Sequence, residues 1–150
     1  MTTTTFDTTV PATTSTARSL PSLARFLESN TEAVYSIARI ILGLLFAFHG
    51  AQKLFGWFMP FEIPVGSQVW FGSIIELVTG CAIAAGVLAR PAAFLASGTM
   101  AVAYVQFHWK LSFGAGLLPA VNQGEPALVY ALMFLYIACR GAGRWTLRAR

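Results

Sequence analysis

From about residue 33 onward, long apolar runs alternate with short polar breaks, and the breaks carry most of the charge. The runs predict four helical spans, about 33–55, 69–88, 91–109 and 120–139, most of them near the ~20 residues that cross ~30 Å of hydrocarbon. Between the first two, Trp57 to Gln68 holds Pro60 and Pro64 among aromatic residues, which suits an interfacial loop. Arg90-Pro91 leaves room only for a tight turn, so the second and third spans are antiparallel neighbours. Leu111 to Gly124 is a glycine-containing connection, and the last span is short enough that its start could lie nearer Leu117. The expected fold is all-α, a transmembrane four-helix bundle running antiparallel up-down.

The N-terminal region has a different texture. Nine threonines among the first sixteen residues, with Pro11 and Pro21, predict a disordered arm over residues 1–30. It holds no apolar core followed by a small-residue cleavage site, so the first span is expected to act as its own insertion signal. Arg18, Leu20, Leu23, Arg25, Phe26 and Leu27 have the spacing of a short amphipathic helix lying on the membrane. The membrane domain is then 31–143, followed by a basic tail, 144–150.

Composition agrees with that division: 56% of residues are hydrophobic and 11% charged, with a mean hydropathy of +0.64. The net charge of +4 is not a nucleic-acid signature, because the basic residues sit at the ends of apolar runs. Arg18, Arg25, Arg90, Arg140, Arg144, Arg148 and Arg150 fall on the side of the termini, against Lys53 and Lys110 opposite. The positive-inside rule therefore places both termini in the cytoplasm. Cys81 and Cys139 lie inside apolar runs with no C-x-x-C spacing, which suits small helix residues rather than a dithiol. Gly43 and Ala47, Gly80 and Ala84, Ala82 and Gly86, and Ala93, Ser97 and Ala101 recur every four residues, as close packing of helices in lipid requires.

On this topology every span delivers a polar group to the outer half of the bundle. His49 and Lys53 arrive from the first span, Glu76 from the second and Gln106 and His108 from the third, with Asn122, Gln123 and Glu125 ahead of the fourth. Arg39, Gly43, Phe46, Gly50 and Lys53 form one helical stripe that faces the bundle, since ions exposed to lipid are costly. Glu76 is the first partner expected for Lys53. Arg39 either reaches Glu76 as a second cation or snorkels toward the cytoplasmic headgroups. Two readings of the cluster stand side by side: a structural network that fixes helix register, and a pocket for a small molecule, a quinone or a proton-linked reaction. A metal site of His49, His108 and Glu76 has a legitimate ligand set without supporting spacing, and haem between the two histidines is weaker. Solute transport is disfavoured by the small size and the lack of an internal repeat.

Several of these residues carry a resemblance. Arg39 with Gly43, the Gly50-Ala51-Gln52-Lys53-Leu54-Phe55-Gly56 exit, Glu76 with Gly80, Arg90 in the turn, His108, and Asn122 to Glu125 together resemble the DoxX family over about Ala33 to Gly143. The resemblance implies a small multi-pass protein of the bacterial inner membrane. The family takes its name from a subunit of a thiosulfate:quinone oxidoreductase, and other members look like membrane partners of oxidative- and thiol-stress enzymes. It thus implies a membrane component of a quinone- or thiol-linked redox system, with a quinone as possible ligand and a soluble or membrane redox protein as partner. The catalytic candidates are His49, Glu76 and His108, and the ligand-binding candidates add Arg39, Lys53, Gln106, Asn122 and Glu125. The alternative is a non-catalytic scaffold or assembly partner.

Overall fold

The structure, a computed structural model, describes residues 22–58 and 62–147. The expected threonine-rich arm as far as residue 21, part of the interfacial loop and the last three residues of the tail lie outside these. Helix α1 (Ser22–Phe55) is followed by α2 (Gln68–Ala85) and α3 (Ala89–Ala103), and α3 runs straight into a π helix, Tyr104–Trp109. A 3₁₀ turn (Gly114–Leu117) and a short α4 (Pro119–Asn122) lead into α5 (Glu125–Arg140). No strand occurs among the described residues, in agreement with the all-α expectation. Among the described residues two helices, α1 and α2, are each long and apolar enough to cross a membrane.

Two boundaries differ from those expected. Helix α1 begins at Ser22, so residues 22–30 are helix continuous with the first apolar run; between Ser22 and Gly43 the sequence contains no glycine or proline to interrupt it. Helix α5 begins at Glu125 because Gln123 adopts a left-handed conformation, φ 58°, which stops α4 after a single turn.

The helices are inverted relative to those of a water-soluble protein. On α1 the buried face is Ser36, Arg39, Gly43, Phe46, Ala47 and Gly50, whereas Val34, Ile37, Ile41, Leu44, Leu45 and Phe48 are exposed. On α1 the inward face is small and polar apart from Tyr35 and Phe46, and the large aliphatic residues face outward, which suits lipid as the surrounding solvent. The inward glycines bring α1 and α2 into backbone contact. A Cβ on Gly43 would stand 2.6 Å from the Ala84 nitrogen, and one on Gly50 2.6 Å from the Ser73 oxygen. On the other pair, Ser97 Oγ of α3 donates to the Ala131 carbonyl of α5 at 2.7 Å. Tyr35, Phe46, Ile83, Ala93, Phe134 and Ile137 join α1, α2, α3 and α5 in one core, with the Phe46 and Phe134 rings 4.7 Å apart.

Two arginines close the helix ends where α2 and α5 finish and α3 begins, Arg39 reaching the end of α2 from the middle of α1. The last four carbonyls of a helix have no partner within it. In α2, Gly86 is left-handed and its N–H reaches Ile83 O while Val87 N–H reaches Ala82 O, the two bonds of a Schellman cap. Arg39 Nη1 then donates to Ile83 O and to Ala84 O, the latter at 2.7 Å, and Leu147 N–H donates to Ala85 O at 2.8 Å. Every one of the four is satisfied. In α5, Gly141 N–H takes Ile137 O, and Arg90 takes Ala138 O, Cys139 O and Arg140 O. A cation at a helix C-terminus also complements the dipole there.

The chain after α5 is held by the same groups. Arg39 Nη2 donates to Arg144 O at 3.1 Å and to Trp145 O at 2.9 Å. Tyr35 Oη donates to Gly141 O at 2.5 Å, and Arg144 N–H donates to Ser36 Oγ at 3.0 Å. Residues 141–147 therefore dock along α1 and α2.

Candidate functional site

At the opposite end, α1 and α2 bring Lys53 and Glu76 together. Lys53 Nζ lies 2.6 Å from Glu76 Oε1 and 2.8 Å from Oε2, the pairing expected from the sequence. The carboxylate is deep, its side chain 7% exposed against 30% for the lysine. The approach follows from helix geometry. Gly50 lies level with Ser73 and Leu77, Lys53 is almost one turn farther along α1, and helical side chains lean toward the helix N-terminus. The lysine stem thus folds back along the interface to Glu76.

A cleft of about 530 Å³ opens beside this pair. Lys53 and Glu76 are at its polar end with His108, while Phe71, Gly72 and Ile75 of α2 face Gly98, Thr99 and Val102 of α3 across it. Gln68 and Gln106 also join α2 to the π helix, Nε2 donating to Oε1 at 2.6 Å. The i to i+5 bonding of the π helix, seen in Lys110 N–H to Val105 O at 2.8 Å, widens the turn, and Ala103, Phe107 and His108 all line the cleft. His108 Nδ1 lies 3.3 Å from the Asn122 carbonyl. A carbonyl only accepts, so the proton is assigned to Nδ1, and Nε2 of the neutral ring is left as an acceptor.

The remaining candidates are placed elsewhere. Arg39 is fully buried, and its terminal nitrogens are committed to carbonyls at the far end of α2 and in the tail. It neither reaches Glu76 nor extends to the surface. Ile83 lies seven positions beyond Glu76 on α2, about 10 Å of helix. His49 is exposed, and its ring stands edge-on to Tyr130 of α5, centroids 6.2 Å apart. Glu125 and Tyr130 border a separate hollow of about 380 Å³. Asn122 pins the loop before α5, its side chain donating to Gly116 O at 2.9 Å and accepting from Gly124 N–H at 2.8 Å. Among the described residues no three His, Cys, Asp or Glu gather as a metal-binding group.

Sequence reasoning missed Gln68, Gly72, Gly98 and Phe107 as cleft residues. Little in the sequence marks the two glycines: Gly72 falls on the same four-residue row as Glu76, Gly80 and Ala84, and Gly98 differs only in standing outside the small-residue stripes. Neither would bring a new Cβ within 4 Å of any atom considered, so these two glycines leave space where Gly43 and Gly50 create contact.

Comparison with known proteins gives the same family as the motif pattern. The family model described as DoxX matches residues 34–109. The chain is also 34% identical over 125 residues to an uncharacterized protein of Haemophilus influenzae, covering 78% of this chain and 90% of that protein. No solved structure matches.

Proposed function

The chain belongs to the DoxX family, and on that premise we propose that it is a four-span protein of the bacterial inner membrane, part of a quinone- or thiol-linked redox system. Membership points to an integral membrane protein, and the outward-facing apolar residues of α1 support it. The 15 residues of α3 with the six of the π helix give about 30 Å, and the 16 of α5 about 24 Å, so both serve as spans beside α1 and α2. Arg90, Arg140 and Arg144 gather at the end where the tail docks, which supports cytoplasmic termini.

The observation that carries the functional reading is the buried Glu76, paired with the half-buried Lys53, opening onto the cleft with His108. A quinone bound there would supply two-electron, two-proton redox chemistry, its electron pair exchanged with a thiol- or sulfur-oxidising partner protein. Lys53 would hold an oxygen of the head, Glu76 would keep the ammonium in place, and His108 Nε2 would accept or return a proton. Glu76→Gln keeps the size and removes the charge. The expected result is a folded protein in which quinone-dependent electron transfer by the reconstituted system falls by two or more orders of magnitude. Undiminished transfer would remove Glu76 from the role.

The second reading is a scaffold in which the ion pair only fixes α1 against α2, favoured by the fact that each partner already satisfies the other. It requires Glu76→Gln to cost stability and no quinone to protect the protein against unfolding.

A further inference from the structure

We propose that the cleft is a side entrance from the membrane between α2 and α3, and that it seats a neutral-headed amphiphile, a quinone or quinol with a long apolar tail. The head lies against Lys53 and His108, and the tail lies over Gly72 and Gly98. This rests on the quinone-linked reading above and adds the route and the tail.

The walls give the route. Phe71, Val102 and Phe107 line the cleft and are themselves exposed on the outside of the helices, so the cleft opens sideways rather than onto an end. Gly72 and Gly98 face each other's helices without filling the gap, since a Cβ on either meets nothing within 4 Å. Glycine lowers helix propensity relative to almost any other residue. A pair of glycines that gains no packing contact is explained by the space it leaves, and about 530 Å³ lies within the range of ligand pockets.

The polar end selects the head. An ammonium has three N–H donors, and the two Glu76 oxygens engage it from one side, which leaves one donor for a ligand oxygen. His108 Nε2 adds an acceptor. The Lys53 donor fits a carbonyl oxygen of a quinone, and donor and acceptor in one cleft fit the hydroxyls of a quinol, which accept and donate. Charge argues in the same direction: Glu76 cancels Lys53, and among the described lining residues no further Lys or Arg is left over for a phosphate. A phospholipid headgroup is therefore the poorer occupant.

The test uses the purified full chain in detergent, with thermal protection by decylubiquinone, by the tailless duroquinone and by phosphatidylglycerol, each expressed as mole fraction in the micelle. Decylubiquinone is expected to protect the wild type at a concentration about tenfold or more below that of duroquinone. Gly72→Leu and Gly98→Leu fill empty space and improve helix propensity, so their unliganded melting stays at the wild-type value or above it. They are expected to weaken decylubiquinone by about tenfold and to leave duroquinone unchanged. Equal protection by the tailed and tailless compounds, or leucine variants that bind decylubiquinone like the wild type, would overturn the side entrance. If duroquinone protection is then still abolished by Glu76→Gln, the quinone-linked pocket survives without it. If neither quinone protects the wild type, both fail, and stronger protection by phosphatidylglycerol overturns the choice of head.

Discussion

Replacing Arg39 by alanine is expected to lower the melting temperature of the detergent-purified protein by on the order of 10 °C. Ile83 O keeps a donor in Gly86 N–H, but Ala84 O, Arg144 O and Trp145 O lose the guanidinium that serves them. A buried acceptor left without a partner costs about 1–3 kcal/mol; these three are part-buried and cost less each, but with the lost packing of the fully buried Arg39 side chain the sum reaches roughly 3 kcal/mol. A protein of this length loses about 2–4 °C per kcal/mol. Arg39→Lys is expected to fall in between, because a single ammonium keeps the charge but lacks the planar fork that bridges α2 and the tail. Limited proteolysis should cut the variant after α5, where the wild type is held. A shift below about 3 °C with the tail still protected would show that the arginine is not the closing element.

Gly43→Ala is the second large loss. Its methyl group would stand 2.6 Å from Ala84 N and 2.7 Å from Gly80 O, and both are backbone atoms that cannot turn aside. The helices must part along their length, which also undoes the close approach at Gly50. Overpacking usually costs about 1–3 kcal/mol, and a backbone neighbour places this case at the upper end or beyond. Gly98→Ala, with no neighbour within 4 Å, is the control and should melt with the wild type. Equal losses from the two substitutions would contradict the contact. Arg39 and Gly43 both press on Ala84, so the double variant is expected to lose less than the two single losses added together.

The sequence made part of this arrangement legible. The stripe Arg39, Gly43, Phe46 and Gly50 is the buried face of α1, because a charged group and small residues at helical spacing have few other places in an apolar run. The Lys53–Glu76 pair followed from comparing depths along two opposed helices. Arg39 could not be placed that way. Its partners are backbone carbonyls, which every residue carries, so nothing in the side-chain pattern marks them. His108 is expected in the layer of the Lys53–Glu76 pair from its place at the end of the third span, although a 3.6-residue period gives no warning of the π turn that carries it. His49 is expected in the same cluster as Lys53, but it lies off the Arg39–Gly43–Phe46–Gly50 stripe and its ring stands against Tyr130 instead. Gly72 and Gly98 look like any other glycine until the empty space beside them is seen.

The central claim is that the Lys53–Glu76 pair forms the polar floor of a quinone site. Native mass spectrometry of gently purified wild-type and Glu76→Gln protein tests it most directly, since it reads what the cleft retains without presuming a reaction. The account predicts a tailed quinone bound to the wild type and missing from the variant. Absence of quinone from both, or equal retention by both, would contradict it.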